Sequence, residues 1–135
     1  MAKSTLYNIY NDLVKAVKPI VGNKNVFLKD RPKTNGDEVP MSKFVVVDLP
    51  VSIDDYVIGS KKTYLTTSGV YYLFTQSRKN DTLDVNATGE LVDSIVDLFP
   101  ISGDYVVASN PVVRMGGSDG MGFQVTTVTF DIHTK

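Results

Sequence analysis

The sequence predicts an α+β fold, in which a mostly antiparallel sheet of about five or six strands packs against two amphipathic helices. Apolar residues recur at helical spacing in two segments, 4–18 and 84–99. Runs of β-branched and aromatic residues, bounded by turn residues, lie between and after these segments. A chain of 135 residues is long enough to bury a core, and we expect residues 1–135 to form a single domain.

The first helix is predicted over residues 4–18. Its apolar side chains follow the spacing i, i+3, i+4, i+7, which places them in one continuous stripe: Leu6, Ile9, Tyr10, Leu13, Val14 and Val17. Ser4 is suited to cap the first turn, and Pro19 is expected to end the helix. Because a sheet is available in the same chain, we expect the stripe to face the core.

The second helix is predicted over residues 84–99, with Asp84 or Thr82 as its cap and Pro100 ending it. Gly89 lies inside this segment, where glycine costs about 1 kcal/mol relative to alanine, and a close packing contact is one explanation for it. Carboxylates mark the solvent side of the helix: Glu90, Asp93 and Asp97. A solvated helix face explains them better than a metal site, since hard cations need several converging oxygens.

The strands are predicted from runs rich in β-branched and aromatic residues: 26–28, 42–49, 63–67, 70–76, 105–108, 111–115 and 123–133. A short turn at Thr67-Ser68-Gly69 is expected between the third and the fourth, and Ser109-Asn110 separates the fifth from the sixth. The unbroken run Phe44–Val47 indicates contact on both faces of the sheet. The last strand alternates apolar and polar residues, which is typical of a half-buried antiparallel strand.

Two connections are predicted to be exposed. Residues 29–40 are polar, include two prolines and contain the turn signal Asn35-Gly36-Asp37. We expect this loop to be poorly ordered in the free subunit and ordered by a neighbour, because long loops in compact domains are usually functional or mobile. Residues 116–122 are rich in glycine and fit a hairpin connection. They do not fit a phosphate-binding loop, since no lysine followed by Ser or Thr is present and the run leads into a strand.

Composition excludes several functions. The formal net charge is −1 and the chain has no cysteine, so disulfides, thiolate chemistry and sulfur-ligated zinc are ruled out. The charge gives no drive toward nucleic acid or an anionic membrane. No secretory leader or membrane-spanning run is visible, and we expect synthesis and folding in a cytoplasm.

No residue set indicates catalysis. His133 stands near the end of the chain, a poor place for a base that needs an orienting partner in a pocket. Paired-carboxylate chemistry would require two of the aspartates near turns, such as Asp54, Asp81 or Asp84, to face each other across a cleft. A base-stacking platform of Tyr64, Tyr71, Tyr72 and Phe74 lacks a basic groove, so ordinary sheet packing is expected.

The order of elements is helix, strand, long loop, strand, strand pair, helix and closing strands. It is carried by the apolar stripe Leu6–Val17, the strand and helix within 70–99, and the closing strand after the glycine-rich turn. This order resembles the tail-terminator and tail-completion proteins of bacteriophages and the neck-ring proteins at the head–tail junction. The resemblance covers nearly the whole chain as a pattern, without a diagnostic motif, and the length of loop 29–40 departs from it.

The resemblance implies a virion structural protein, made in the host bacterial cytoplasm, that forms a ring and joins the connector to the tail. Its implied partners are copies of itself, connector or portal-side proteins and tail-tube proteins; no cofactor, metal, membrane or sequence-specific nucleic acid is implied. The candidate subunit-interface residues lie on the two exposed connections: Arg31, Lys33, Asn35, Asp37, Met115, Gly117, Asp119 and Met121. The alternative is a small ligand-binding or enzymatic domain, with a pocket between the sheet and the second helix.

Overall fold

The computed structural model describes residues 5–31, 42–49 and 66–135. These residues confirm the predicted α+β class, with two α-helices and a six-stranded, mostly antiparallel sheet. The elements are α1 (Thr5–Val21), β1 (Val26–Leu28), β2 (Lys43–Asp48), β3 (Thr66–Gln76), a 3₁₀ turn (Lys79–Asp81), α2 (Val85–Val96), β4 (Ile101–Ser102), β5 (Val106–Ser118) and β6 (Phe123–Thr134). The predicted Ser4 cap, most of the 29–40 loop and residue Tyr64 lie outside the described residues.

The sheet has the strand order β1-β2-β3-β6-β5-β4. β1 runs parallel to β2, and every other neighbouring pair is antiparallel. The centre of the sheet is the long pairing of β3 with β6, which runs from Thr66 opposite His133 to Gln76 opposite Phe123. The two longest strands of the described residues, β5 and β6, form the closing hairpin.

Both helices cover the same face of the sheet, which we call the helix face. α1 packs against β1 and β2, while α2 packs mainly against β3 and β6. The predicted stripe residues Leu13 and Ile95 are fully buried between helices and sheet. Tyr71 is buried with them and donates a 2.8 Å hydrogen bond from its hydroxyl to the Leu13 carbonyl oxygen. Burial raises the pKa of the Tyr71 phenol, so it stays a neutral donor.

The opposite face of the sheet carries a second, aromatic cluster. Phe44, Val46, Phe74 and Phe123 are buried there, and the Phe44 and Phe74 rings stack with centroids 4.4 Å apart. Val45 and Val47 point to the helix face. The prediction that Phe44–Val47 contacts both faces is therefore confirmed. The tyrosine and phenylalanine side chains of β3 pack within the sheet, as expected, and Tyr71 and Phe74 form no exposed stacking platform.

The predicted turn at Thr67-Ser68-Gly69 is wrong, because β3 is one continuous strand through these residues. Gly69 lies opposite Phe130 in the sheet. A Cβ atom at this position would lie 2.7 Å from Cε2 of Phe130. The glycine therefore makes room for an aromatic ring of the neighbouring strand, and it does not mark a change of chain direction.

The predicted break at Ser109-Asn110 is also wrong, since β5 is continuous from Val106 to Ser118. Its register against β6 shifts between Ser109 and Val112, where Asn110 adopts a left-handed backbone with φ 59°. A second shift lies between Met115 and Gly117, which has φ 88°. Asn110 and Gly117 thus mark two irregularities within one strand. A glycine with positive φ at a register shift is typical of a β-bulge.

α1 extends past Pro19 to Val21, so the predicted stop at Lys18 is wrong. Proline in the last turn removes only the hydrogen bond to the carbonyl of Lys15, a residue exposed to solvent. Val21 is buried in the core and favours the extra turn. The helix stops at Val21, and the following residue, Gly22, has a φ of 99° and an N–H that donates to the Lys18 carbonyl oxygen.

α2 confirms its predicted cap, since the Asp84 carboxylate accepts a 3.1 Å hydrogen bond from the Ala87 N–H. The helix ends at Val96, three residues before the predicted end. A close packing contact does not explain Gly89, because no atom lies within 4 Å of a Cβ built there. Gly89 stands on the exposed side of the helix.

Candidate functional site

The strongest candidate for a functional surface is the outer part of β5. We call residues 106–109 its proximal half and residues 112–118 its distal half. β4 pairs with the proximal half only, through Val107 and Ala108. Among the described residues, the distal half has β6 as its single neighbouring strand. One row of its backbone donors and acceptors therefore forms a free edge, which is suited to pairing with another chain.

The distal half also exposes apolar side chains. Val112, Val113 and Met115 are 49%, 40% and 60% exposed. Val113 lies opposite Val128 and Met115 opposite Thr126, which places both on the helix face. α2 packs mainly over β3 and β6, and these two side chains stay exposed beside it. The only polar contact of the Met115 sulfur among the described residues is a weak one, with the Thr126 hydroxyl 3.8 Å away.

The proximal half is held by a buried carboxylate on α1. Asp12 accepts hydrogen bonds from three successive backbone N–H groups, at 3.3 Å from Asp104, 2.7 Å from Tyr105 and 2.9 Å from Val106. Gly103 lies against this carboxylate, where any Cβ would overlap the Asp12 side chain. Asp12 therefore fixes the turn between β4 and β5 to the helix layer. Its position in α1 gave no sequence signal for this role, because the partners are backbone groups some 90 residues away.

Arg31 and Asp119, two of the predicted interface residues, contact each other within the chain. They form an ion pair whose side chains are 19% and 8% exposed. The Arg31 guanidinium also lies 5.5 to 5.6 Å from the ring centroids of Phe44, Phe74 and Phe123. The pair thus joins the chain after β1 to the hairpin turn and closes part of the aromatic cluster.

Asp119 also shapes the turn between β5 and β6. Its second carboxylate oxygen accepts hydrogen bonds from the Met121 and Phe123 N–H groups, at 2.7 and 3.1 Å. Met121 is half-buried, whereas Gly117 is exposed in the distal half of β5 beside Met115. Lys33, Asn35 and Asp37 lie outside the described residues. Of the predicted interface residues that the structure describes, Met115 and Gly117 are therefore the two that are exposed on the free edge.

A polar cluster stabilises the base of the hairpin tip. The exposed Asp81 carboxylate accepts hydrogen bonds from the Ser118 hydroxyl and, at 2.9 Å, from the Ser77 hydroxyl. These two bonds, that of Ser118 first, hold the pKa of Asp81 below its ordinary value. The buried Gln124 amide donates to the Asp81 carbonyl oxygen at 2.9 Å. The cluster ties the 3₁₀ turn to both strands of the hairpin.

The space between the sheet and α2, where the alternative function placed a pocket, contains buried side chains. Leu91 and Ile95 fill it, and the Thr75 and Thr88 hydroxyls bond to each other at 2.8 Å. A cleft of about 270 Å³ opens at the surface beside the first turn of α2, next to Asp84. Across the described ranges, no three His, Cys, Asp or Glu side chains lie close enough to hold a metal ion. The carboxylates Glu90, Asp93 and Asp97 are exposed, as predicted, and so is His133.

Comparison with known proteins gives a fold relationship only. No protein-family profile matches the chain, and no curated protein matches it. One solved structure, whose name carries no functional description, superposes with a TM-score of 0.58 at 7% sequence identity. The superposition covers 96% of this chain and 92% of that chain. At such a low identity, the superposition shows that the two chains share a fold, and nothing beyond the fold. Neither α1 nor α2, the two α-helices of the described residues, is long and apolar enough to cross a membrane.

Proposed function

We propose that this chain is a ring-forming structural subunit of a bacteriophage virion, located at the head–tail junction as a neck or tail-terminator protein. The observation that carries the proposal is the distal half of β5. A free strand edge that also exposes Val112, Val113 and Met115 is a surface that monomeric proteins normally protect. Such an edge is expected where a neighbouring chain completes the structure.

The order of elements supports the phage assignment. Two helices on one face of a mostly antiparallel sheet, with a long closing hairpin, agree with the fold that the resemblance to tail terminators implies. A tail terminator has to stop growth, and a head-to-tail contact repeated around an axis does so only if the ring closes. The proposed partners are other copies of the chain, connector or portal-side proteins and tail-tube proteins.

Electron microscopy of purified phage particles tests the location. We expect a ring of density at the head–tail junction that this fold fits, and we expect the chain in the protein content of the particles. Cells infected by a phage that lacks the gene should accumulate heads and tails that are not joined. Absence of the chain from purified virions would contradict the proposal.

The alternative of a ligand-binding or enzymatic domain has its own test. The cleft beside the first turn of α2 is lined by side chains of both charges, including Lys43, Asp84 and Glu90. A small molecule that binds only the native state stabilises it by RT ln(1 + L/Kd), where L is the ligand concentration, so the melting temperature rises with the logarithm of that concentration once it exceeds Kd. A metabolite panel that gives such a shift, lost in Lys43→Ala, would favour the alternative.

A further inference from the structure

A cleft of about 550 Å³ opens between the 3₁₀ turn and the turn that joins β5 to β6, and we call it the tip cleft. It is larger than the cleft beside α2 and lies within the range of about 300–1,000 Å³ that is typical of small-molecule sites. One wall consists of the residues from Gln76 to Asp81, and the other contains Gly120 and Gly122. Neither the proposed ring function nor its alternative uses this space.

Hydrogen bonds fix the walls of the tip cleft in the absence of a ligand. The Ser77 N–H donates to the Gly122 carbonyl oxygen at 2.9 Å, which joins one wall to the other. The Arg78 N–H donates to the Thr82 carbonyl oxygen at 2.8 Å and closes the 3₁₀ turn. The buried Gln124 amide donates to the Ser77 hydroxyl at 3.0 Å. A site that is already ordered loses less conformational entropy when a ligand binds.

The 3₁₀ turn holds two successive residues, Asn80 and Asp81, in the left-handed backbone region, with φ values of 60° and 57°. Residues other than glycine rarely adopt this region, although Asn and Asp tolerate it better than most. Such conformations cost free energy, and they cluster at binding and catalytic sites. Here both strained residues line the tip cleft, together with Arg78 and Lys79.

The lining of the tip cleft carries two cations and one carboxylate. Arg78 and Lys79 are exposed, and neither forms an ion pair within the described ranges. The Asp81 carboxylate is oriented by the hydroxyl groups of Ser77 and Ser118, which donate to it. An ionised carboxylate has room for about four hydrogen bonds, so it can accept more. The cleft therefore offers cationic donors to an anionic group and an acceptor to a hydroxyl group.

We infer that the tip cleft binds a small phosphate ester that also carries hydroxyl groups, such as a sugar phosphate. The planar guanidinium of Arg78 has paired N–H donors that match two phosphate oxygens, and Lys79 adds a compact positive charge. Asp81 accepts a hydrogen bond from a hydroxyl of the ligand. Because the cations outnumber the carboxylate, a doubly charged phosphate is attracted more strongly than a singly charged carboxylate. The inference is independent of the proposed ring function.

Titration of the chain with ribose 5-phosphate at low salt tests the inference. Backbone amide NMR locates the ligand, and calorimetry measures its dissociation constant. We expect saturable shifts of the amides from Ser77 to Asp81 and of the Gly120 amide. Inorganic phosphate should bind more weakly, because it brings no sugar hydroxyl to Asp81. Ribose at the same concentrations should give no shift, because it brings no charge to Arg78 and Lys79.

Removing the two cations should weaken binding without affecting the fold. In the double variant Arg78→Gln and Lys79→Gln, the dissociation constant for ribose 5-phosphate should rise at least about tenfold, because charge-assisted hydrogen bonds are lost. Each single change should give an intermediate loss. Both side chains are exposed, so amide signals outside the tip cleft should keep their positions.

The matched control is the double variant Lys15→Gln and Lys135→Gln, which removes the same charge from exposed residues that do not line the tip cleft. Lys135 follows the end of β6 that lies opposite to the tip cleft, and the control should bind as the unchanged chain does. The inference is overturned if ribose 5-phosphate shifts no amide of the tip cleft, if inorganic phosphate binds as tightly, or if the control loses as much affinity as the cleft variant. None of these results bears on whether the chain is found in virions, which microscopy of the particles tests separately.

Discussion

The proximal and distal halves of β5 form one strand with one continuous partner, β6, yet their surroundings differ. Val106 and Ala108 are fully buried, whereas Val112, Val113 and Met115 are exposed. The proximal half has β4 on its outer edge and the Asp12 carboxylate on its first backbone groups. The distal half extends beyond both. Apolar strand residues of the same kind therefore build a core in one half and an exposed surface in the other, depending on what covers them.

The largest expected effect on stability comes from truncating buried side chains of the two helices. Leu13→Ala and Ile95→Ala should each lower the free energy of unfolding by about 2–5 kcal/mol, because both side chains are fully buried. Leu6→Ala, on the exposed start of α1, is the control and should cost less than about 1 kcal/mol. Urea denaturation measures all three. Equal effects at Leu6 and Leu13 would mean that the α1 stripe does not face the core.

The next largest effect is expected at the anchor of the proximal half. Asp12→Ala should cost about 3 kcal/mol, because three backbone N–H groups lose their acceptor and each unsatisfied buried donor costs about 1–3 kcal/mol. Asp104→Ala removes an exposed carboxylate of the same turn and should be nearly neutral. Hydrogen exchange of the Tyr105 and Val106 amides should accelerate in Asp12→Ala only. Unchanged protection of these amides would show that the turn is held by other contacts.

The same valine-to-alanine change in each half of β5 tests how the two halves differ. Val106→Ala should destabilise the fold by about 2 kcal/mol, since two buried methyl groups are worth about 0.8 kcal/mol each and a cavity remains. Val113→Ala should change stability by less than about 0.5 kcal/mol in the monomer. The same Val113 change is expected to weaken self-association. A large loss of monomer stability at Val113 would contradict its assignment to a contact surface.

The smallest effect is expected at the end of the distal half, where Ser118 donates to Asp81. The pKa of Asp81 is lowered in the folded state, first by the Ser118 hydroxyl and then by that of Ser77. This hydrogen bonding therefore adds stability above the unfolded pKa and loses it as the pH falls through the folded pKa. Between pH 5 and pH 2, the unfolding free energy should fall slightly less steeply in Asp81→Asn than in the unchanged chain. Identical slopes would show that the carboxylate is not coupled to folding.

Several elements follow from local sequence alone. The stripe of α1, the Asp84 cap of α2 and the alternation of β6 are each encoded within a dozen residues, since periodicity and capping depend on near neighbours. The four consecutive apolar residues of β2 predicted contact on both faces for the same reason. The exposed acidic side of α2 and the glycine-rich hairpin turn were also predicted in this way.

The tertiary structure decided the meaning of the turn residues. Gly69, Asn110 and Gly117 were predicted as breaks between strands, and each instead lies within a strand. Gly69 makes space for Phe130, a residue 61 positions later in the chain, and the other two mark shifts of register against β6. Pro19 likewise failed to end α1, because the buried Val21 favours one more turn.

The candidate surface divides in the same way. The sequence determined that Met115 and Gly117 belong to the closing hairpin and that the carboxylates Glu90, Asp93 and Asp97 lie on the solvent side of α2. Only the tertiary structure decided that Arg31 and Asp119 pair within the chain and that Asp12 holds the turn before β5. It also decided that Val113 stays exposed beside the helices of the described residues. Burial and pairing depend on residues distant in the chain, whereas helical and strand periodicity depends on neighbours.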